Sequence, residues 1–134
     1  MVELARTYPD NIVTVKEMAR NQLLSVKYLE SIIAPLKAAG LVKAVRGFHG
    51  GYTLARPPSA IRLSEIYQIL EGSLAPVKCV DTPEICPMHD RCPTRSTWGR
   101  LKDALAGVLD NTTIQDLLDG WNQPVDSSPP MFQI

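Results

Sequence analysis

The sequence has no long apolar run. A membrane-spanning helix needs about 20 consecutive apolar residues, and here apolar stretches end after a few positions. Nor does the chain open on a basic stretch followed by an apolar one, as a secretory leader would; Glu3 and Arg6 already flank its first apolar positions. A soluble protein is expected rather than an integral membrane or exported one, and the cytoplasm is the expected location. A closed disulfide framework is missing as well. There are only three cysteines, an odd number, all between Cys79 and Cys92, which points to metal or redox chemistry rather than to structural crosslinks. Finally, no nucleophile, base and pocket pattern stands out, so an enzyme is not expected.

Net charge is also absent, but only as an average. Residues 1–62 carry nine Lys/Arg against four Asp/Glu, whereas residues 63–134 carry five against ten. A basic half joined to an acidic half suggests that the first half alone faces a polyanion.

The organisation follows from periodicity and punctuation. Residues 1–8 look like the end of a helix, broken by Pro9-Asp10-Asn11. Thr14 and Glu17 have the spacing of a capping box, predicting a short helix to about Arg20 with Val15, Met18 and Ala19 inward. After a turn at 21–24, Ser25 can cap a second helix to about Ala39, with Leu29, Ile32, Ile33 and Leu36 on one face. Pro35 predicts a bend, and Gly40 a stop. Two helices joined by a tight turn make a helix–turn–helix unit. Leu41–Val45 and Tyr52–Ala55 then read as strands around a glycine-rich turn, Arg46-Gly47-Phe48-His49-Gly50-Gly51, which would form a wing.

The second half changes character. Residues 61–71 predict a short helix ended by Gly72. Periodicity vanishes from Ser73 to Pro93, where Pro and Cys take over, and returns in a helix from Thr94 to about Leu109. A last short helix, capped by Thr112 or Thr113, reaches Leu118, and the Pro-, Ser- and Asp-rich tail from Gly120 is expected to be disordered. The expected fold class is therefore mainly α with a small β-hairpin wing: a winged helix–turn–helix at 1–62, a cysteine loop and dimerisation helices at 63–119, and a tail at 120–134.

In a helix–turn–helix the early residues of the second helix meet base edges in the major groove. Here these are Ser25, Lys27, Tyr28 and Glu30. Lys27 suits phosphate or guanine, Glu30 a cytosine amine, and Ser25 and Tyr28 the backbone. Arg46 at the wing suits a narrow minor groove, and His49 suits a phosphate. The bland alternative for each is a solvated helix face or turn residue.

From Val2 to about Leu118 the chain resembles the Rrf-type family of winged-helix regulators, which includes IscR, NsrR and CymR. The resemblance lies in SVKYLESIIAPLKAAGLVKAVRGFHGGYTLARPP, in LSEIYQILEG and in CPMHDRCPTRSTW. Tyr28-Leu29-Glu30, Gly40-Leu41-Val42, Arg46-Gly47 and Gly50-Gly51-Tyr52 match position for position. It implies a homodimer, built through the helix holding Trp98, that reads a palindromic operator in double-stranded DNA, and a repressor role. It also implies an iron–sulfur cluster on Cys79, Cys86 and Cys92, which have family-like spacings of six and five intervening residues. A [2Fe–2S] cluster is favoured over [4Fe–4S], with its fourth ligand open: relatives that use a histidine place it three residues after the last cysteine, where this chain has Arg95. The first half of the family's opening helix has no counterpart here, so Met1 can be an internal methionine of a longer protein.

Other readings stay open. Thiolates so spaced suit a soft iron cluster, but Cys79, Cys86, Cys92 and His89 could instead hold zinc in a cramped tetrahedral wrap. A metal-free thiol switch would need only the cysteines. A metal or redox carrier that uses the helix–turn–helix as mere scaffold is the alternative from another functional class. The stripe Trp98, Leu101, Leu105, Val108 and Leu109 is too apolar for a lone exposed helix, and a twin helix in a C2 dimer is its expected cover.

Overall fold

The computed structural model describes residues 1–121. In chain order its helices are α1 (Val2–Ala5), α2 (Val15–Asn21), α3 (Val26–Ala38), α4 (Leu63–Leu70), α5 (Arg95–Asp110) and α6 (Ile114–Trp121); strands β1 (Val42–Val45) and β2 (Gly51–Leu54) lie between α3 and α4. Among the described residues no helix is long and apolar enough to cross a membrane.

Local chemistry accounts for the boundaries. At α2 the capping box forms: Glu17 N–H donates to Thr14 Oγ1 at 3.2 Å, and Thr14 N–H donates to the Glu17 carboxylate at 3.4 Å. Ser25 Oγ accepts the Tyr28 N–H at 3.1 Å, starting α3. That helix continues through Pro35 to Ala38. It ends in a Schellman motif: Gly40 lies at φ +76°, its N–H donates to Lys37 C=O, and Leu41 N–H donates to Leu36 C=O, each at 3.0 Å. The accompanying apolar contact is made by Leu36 and Leu41, both buried.

The same device ends α2, with one difference. Leu24 N–H donates to Ala19 C=O at 2.9 Å across a left-handed residue, but that residue is Leu23, at φ +54° and 93 % exposed. A side chain bearing Cβ is strained there in a way that glycine is not.

Strands β1 and β2 pair antiparallel with Val42 opposite Leu54 and Val45 opposite Gly51. Strand β1 begins one residue later than expected and β2 lies one residue earlier, because Leu41 and Ala55 flank the ladder, although Ala55 N–H still reaches Leu41 C=O at 3.0 Å. Val13 adds a single bridge to Tyr52, exchanging both hydrogen bonds at 2.8 and 2.9 Å. Gly51 permits this close approach: a Cβ there would lie 2.6 Å from Val13 O.

The core joins Leu4, Ala5, Val13, Met18, Ile33, Leu36, Leu41, Val42, Leu54 and Ile61 with Ile114 from the far end of the chain. Ile61 was expected to begin a helix; α4 starts two residues later, and Ile61 instead accepts Ile114 N–H on its carbonyl at 3.0 Å. Leu63 N–H donates to Thr112 C=O at 2.9 Å, and the Arg62 guanidinium donates to Asp110 C=O. These bonds seat α6 on the winged head, against α1 and the 3-10 turn at Pro58–Ala60. The tail was expected from Gly120, but α6 runs through Trp121; the rest of it lies outside the described residues.

Candidate nucleic-acid interface and cysteine loop

The first two turns of α3 present Lys27, Tyr28 and Glu30 to solvent, opposite half-buried Leu29 and buried Ile33. Ser25 is exposed too, but its oxygen already serves as the cap, which leaves its O–H proton to donate outward. Arg46 and His49 are exposed on the wing. Among the described residues Lys27, Glu30, Arg46 and His49 take part in no ion pair. The face is thus polar, with two cations against one carboxylate and none of these charges paired among the described residues, which suits a surface that exchanges solvent for phosphate.

The wing's rear attachment is a pair that sequence reasoning missed. Arg56, just past β2, donates to Glu65 of α4 at 2.6 Å. Glu65 also accepts Arg62 N–H at 3.3 Å. The Arg56 hydrogen bond, helped by Arg62, holds the Glu65 carboxyl below its ordinary range against a smaller opposing effect of burial. The partners lie nine positions apart, a spacing with no helical or strand meaning.

The expected loop from Ser73 to Pro93 is built from three short 3-10 turns, Lys78–Val80, Pro83–Ile85 and His89–Arg91. Each turn delivers one cysteine: Cys79 lies in the first, and Cys86 and Cys92 immediately follow the second and third. All three thiols are free and half-buried. Yet among the described residues no three His, Cys, Asp or Glu side chains converge as metal ligands would. His89 is committed to the loop itself: Nδ1–H donates to Cys86 C=O at 2.9 Å, and Nε2 lies 3.0 Å from the Asp90 carboxylate.

Cys92 stands at the entrance to α5, its Sγ 3.4 Å from Thr94 Oγ1. The Thr94 hydroxyl, then the backbone N–H groups of Thr94 and Arg95 and the Arg95 charge, hold this thiol below its ordinary value. The loop is tied to α5 a second way, also unforeseen. Lys102 donates to Asp81 at 2.7 Å, and the Ser73 hydroxyl donates to the same carboxylate. Helix α5 itself buries none of its residues: Leu101, Leu105 and Val108 are 42, 40 and 65 % exposed.

A helix–turn–helix followed directly by a glycine-tipped hairpin defines a winged-helix transcription regulator. The family model described as Rrf2, iron-dependent transcriptional regulator, matches residues 1–120. The chain belongs to that family. It is 39 % identical over 117 residues to the HTH-type transcriptional regulator CymR of Bacillus subtilis, covering 87 % of this chain and 80 % of that one. Against IscR of Escherichia coli it is 32 % identical over 125 residues, covering 93 and 75 %. Two solved structures superpose closely. CymR (YrzC), the global cysteine regulator of B. subtilis, gives a TM-score of 0.76 at 38 % identity, covering 89 % of this chain and 87 % of that one. IscR of T. potens gives 0.76 at 35 % identity, covering 98 and 87 %. These relatives are transcription regulators, and this chain is likewise a regulator rather than an enzyme.

Proposed function

We propose that the protein is a dimeric repressor whose affinity for a palindromic operator is set by an iron–sulfur cluster on Cys79, Cys86 and Cys92. The observation that carries this reading is the placement of three free, half-buried cysteines on successive 3-10 turns directly before a long helix that has no fully buried residue among those described. The donor set suits the group, since thiolates are the usual cluster ligands, and Cys92 is already biased toward thiolate by Thr94 and the start of α5. The cluster, when bound, supplies an iron centre responsive to redox state and small ligands. The chain's part is mechanical. Because the thiols are not gathered in advance, holding a common ligand requires the three turns to close up, and Asp81 transmits that movement to α5 through Lys102. The cluster proposed is [2Fe–2S].

Residues 1–62 form the reading head in this scheme. Lys27, Tyr28 and Glu30 meet base edges and phosphates, Ser25 donates to the backbone, and Arg46 and His49 brace the wing. Residues 63–119 sense and dimerise: Trp98, Leu101, Leu105, Val108 and Leu109 pack against their twins about a C2 axis. Half-sites then lie about one helical turn, ~34 Å, or a multiple of it apart. A change in loop geometry alters head spacing, and a tenfold switch needs only about 1.4 kcal/mol of coupling.

The test is anaerobic purification followed by visible spectroscopy and iron, sulfide and zinc analysis. Cluster absorption that is lost in Cys92→Ala, together with altered operator affinity, supports the scheme; stoichiometric zinc without iron or sulfide ends it. The zinc alternative has less support, because both ring nitrogens of His89 already have partners. A metal-free thiol switch has more. The low-lying Cys92 thiol favours it, and one related structure, 33 % identical, is Staphylococcus aureus CymR in an oxidized form. Iron-free protein whose operator affinity changes reversibly with peroxide and dithiothreitol would establish that reading instead.

A further inference from the structure

Among the described residues the most exposed large apolar side chain is Phe48, at 99 %. It sits at the apex of the wing. Gly50 N–H donates to Gly47 C=O at 2.9 Å, closing a four-residue turn with Phe48 and His49 at its corners. Turn corners favour Gly, Pro, Asn, Asp and Ser, each for a backbone reason that phenylalanine does not share. Its ring is met only edge-on by His49, with centroids 4.9 Å apart and planes at 87°. Glycines flank the pair. Gly47 lies at φ +131°, and a Cβ on Gly50 would fall 2.6 Å from Val45 O. The tip is therefore slim, carrying one aromatic pair and no other bulk. Behind it on the same hairpin stand Lys43 and Arg46, both exposed and, among the described residues, outside every ion pair.

An apolar ring at the apex and cations on the shoulder are the parts of a minor-groove wedge. The cations take the phosphates on either side of the groove, and the ring enters between base pairs and partly unstacks them. We propose that Phe48 is such a wedge, and that through it the wing selects DNA by deformability. This rests on the DNA-binding reading above and adds to it a specificity-determining residue. Pyrimidine–purine steps unstack most easily, so a TA or CA/TG step is the expected seat of the ring.

The experiment uses the full chain and 30-base-pair duplexes recovered by repeated selection from a random-sequence pool. Affinity is read by fluorescence anisotropy. Unstacking is read from 2-aminopurine placed at each position of the recovered site in turn. Wild type should raise 2-aminopurine emission at one step per half-site. Phe48→Ala should abolish that rise and weaken binding to the selected duplex roughly tenfold, within the range for removing a base–aromatic contact. Its affinity for unselected duplex and its thermal midpoint should be unchanged, since Phe48 supports no core residue. Phe48→Leu, still an apolar wedge, should keep the emission rise. The proposal is overturned if Phe48→Ala matches wild type in affinity and emission, or if wild type itself shows no unstacked step. Selection that enriches nothing with wild-type protein would remove the DNA-binding reading itself, and the wedge with it.

Discussion

The winged head and the long helix α5 carry apolar stripes of the same kind but meet opposite ends. In the head, Met18, Ile33, Leu36, Leu41 and Val42 are all buried, and Ile114 arrives from the far end of the chain to complete the set. In α5, Leu101, Leu105 and Val108 keep 40 % or more of their surface in solvent. A helical stripe states that a helix needs a cover; it does not state which surface supplies it. The head is covered within the chain. For α5 no described residue covers Leu101, Leu105 and Val108, which is the physical basis for proposing a twin.

The largest expected effect breaks that comparison at its strongest point. Ile114→Ala should destabilise the head by about 2–5 kcal/mol, the usual cost of emptying a well-packed aliphatic site. Leu105→Ala, which removes far less buried surface in one chain, should cost much less if α5 is bare. Urea denaturation of both variants at several protein concentrations is the measurement. A midpoint that rises with concentration, and is more sensitive to Leu105→Ala at high concentration, shows that a second chain covers α5. Equal costs at every concentration would mean that head and α5 do not differ as described.

A smaller effect compares the two ends of the helix–turn–helix. Gly40 and Leu23 occupy equivalent left-handed positions, but only one is the residue that tolerates them. Leu23→Gly should stabilise the protein by about 1 kcal/mol, and Gly40→Ala should destabilise it by about as much. Nothing lies within 4 Å of a Cβ at Gly40, so the second change tests backbone strain without a steric clash. Thermal melts of the two variants suffice. If Leu23→Gly melts lower than wild type, the exposed leucine is held by something other than the turn.

The smallest effect concerns the joint between wing and α4. Because Arg56 depresses the Glu65 carboxyl in the folded state, the pair contributes stability above the ordinary carboxylate range. That contribution is lost as pH falls through the depressed value. Both side chains are more than a third exposed, so the contribution should stay below about 1 kcal/mol. Melting temperature against pH should therefore decline less steeply below about pH 4.3, the ordinary glutamate value, in Glu65→Gln than in wild type. Parallel acid limbs would show that the pair does not stabilise the fold.

Elements whose signals are local were legible in the chain. Thr14 and Glu17, three residues apart, announced a capping box and formed one; Ser25 announced a cap and Gly40 a stop. The glycine-rich turn announced the hairpin, shifted by one residue. Cys79, Cys86 and Cys92 announced a loop without regular periodicity, and each proved to accompany its own 3-10 turn. Phe48 passed unnoticed because a lone phenylalanine in a glycine-rich stretch has no pattern; only its exposure at the turn's apex makes it conspicuous. The cysteines' spacing, in turn, says nothing of whether the thiols point at one another.

Sequence alone was enough for the helix–turn–helix and the wing, because capping, left-handed glycine and helical periodicity act within a few residues and need no distant partner; the regulator class came from the resemblance to a known family. Tertiary structure decided what distant residues do to one another. Ile114 returns to the head, Arg62 donates to the carbonyl of Asp110, Arg56 pairs with Glu65, and Asp81 reaches Lys102. Each of these joins side chains or backbone groups across a chain path whose length bears no relation to their separation in space. Burial and ion pairing depend on that spatial separation, which the order of residues does not record.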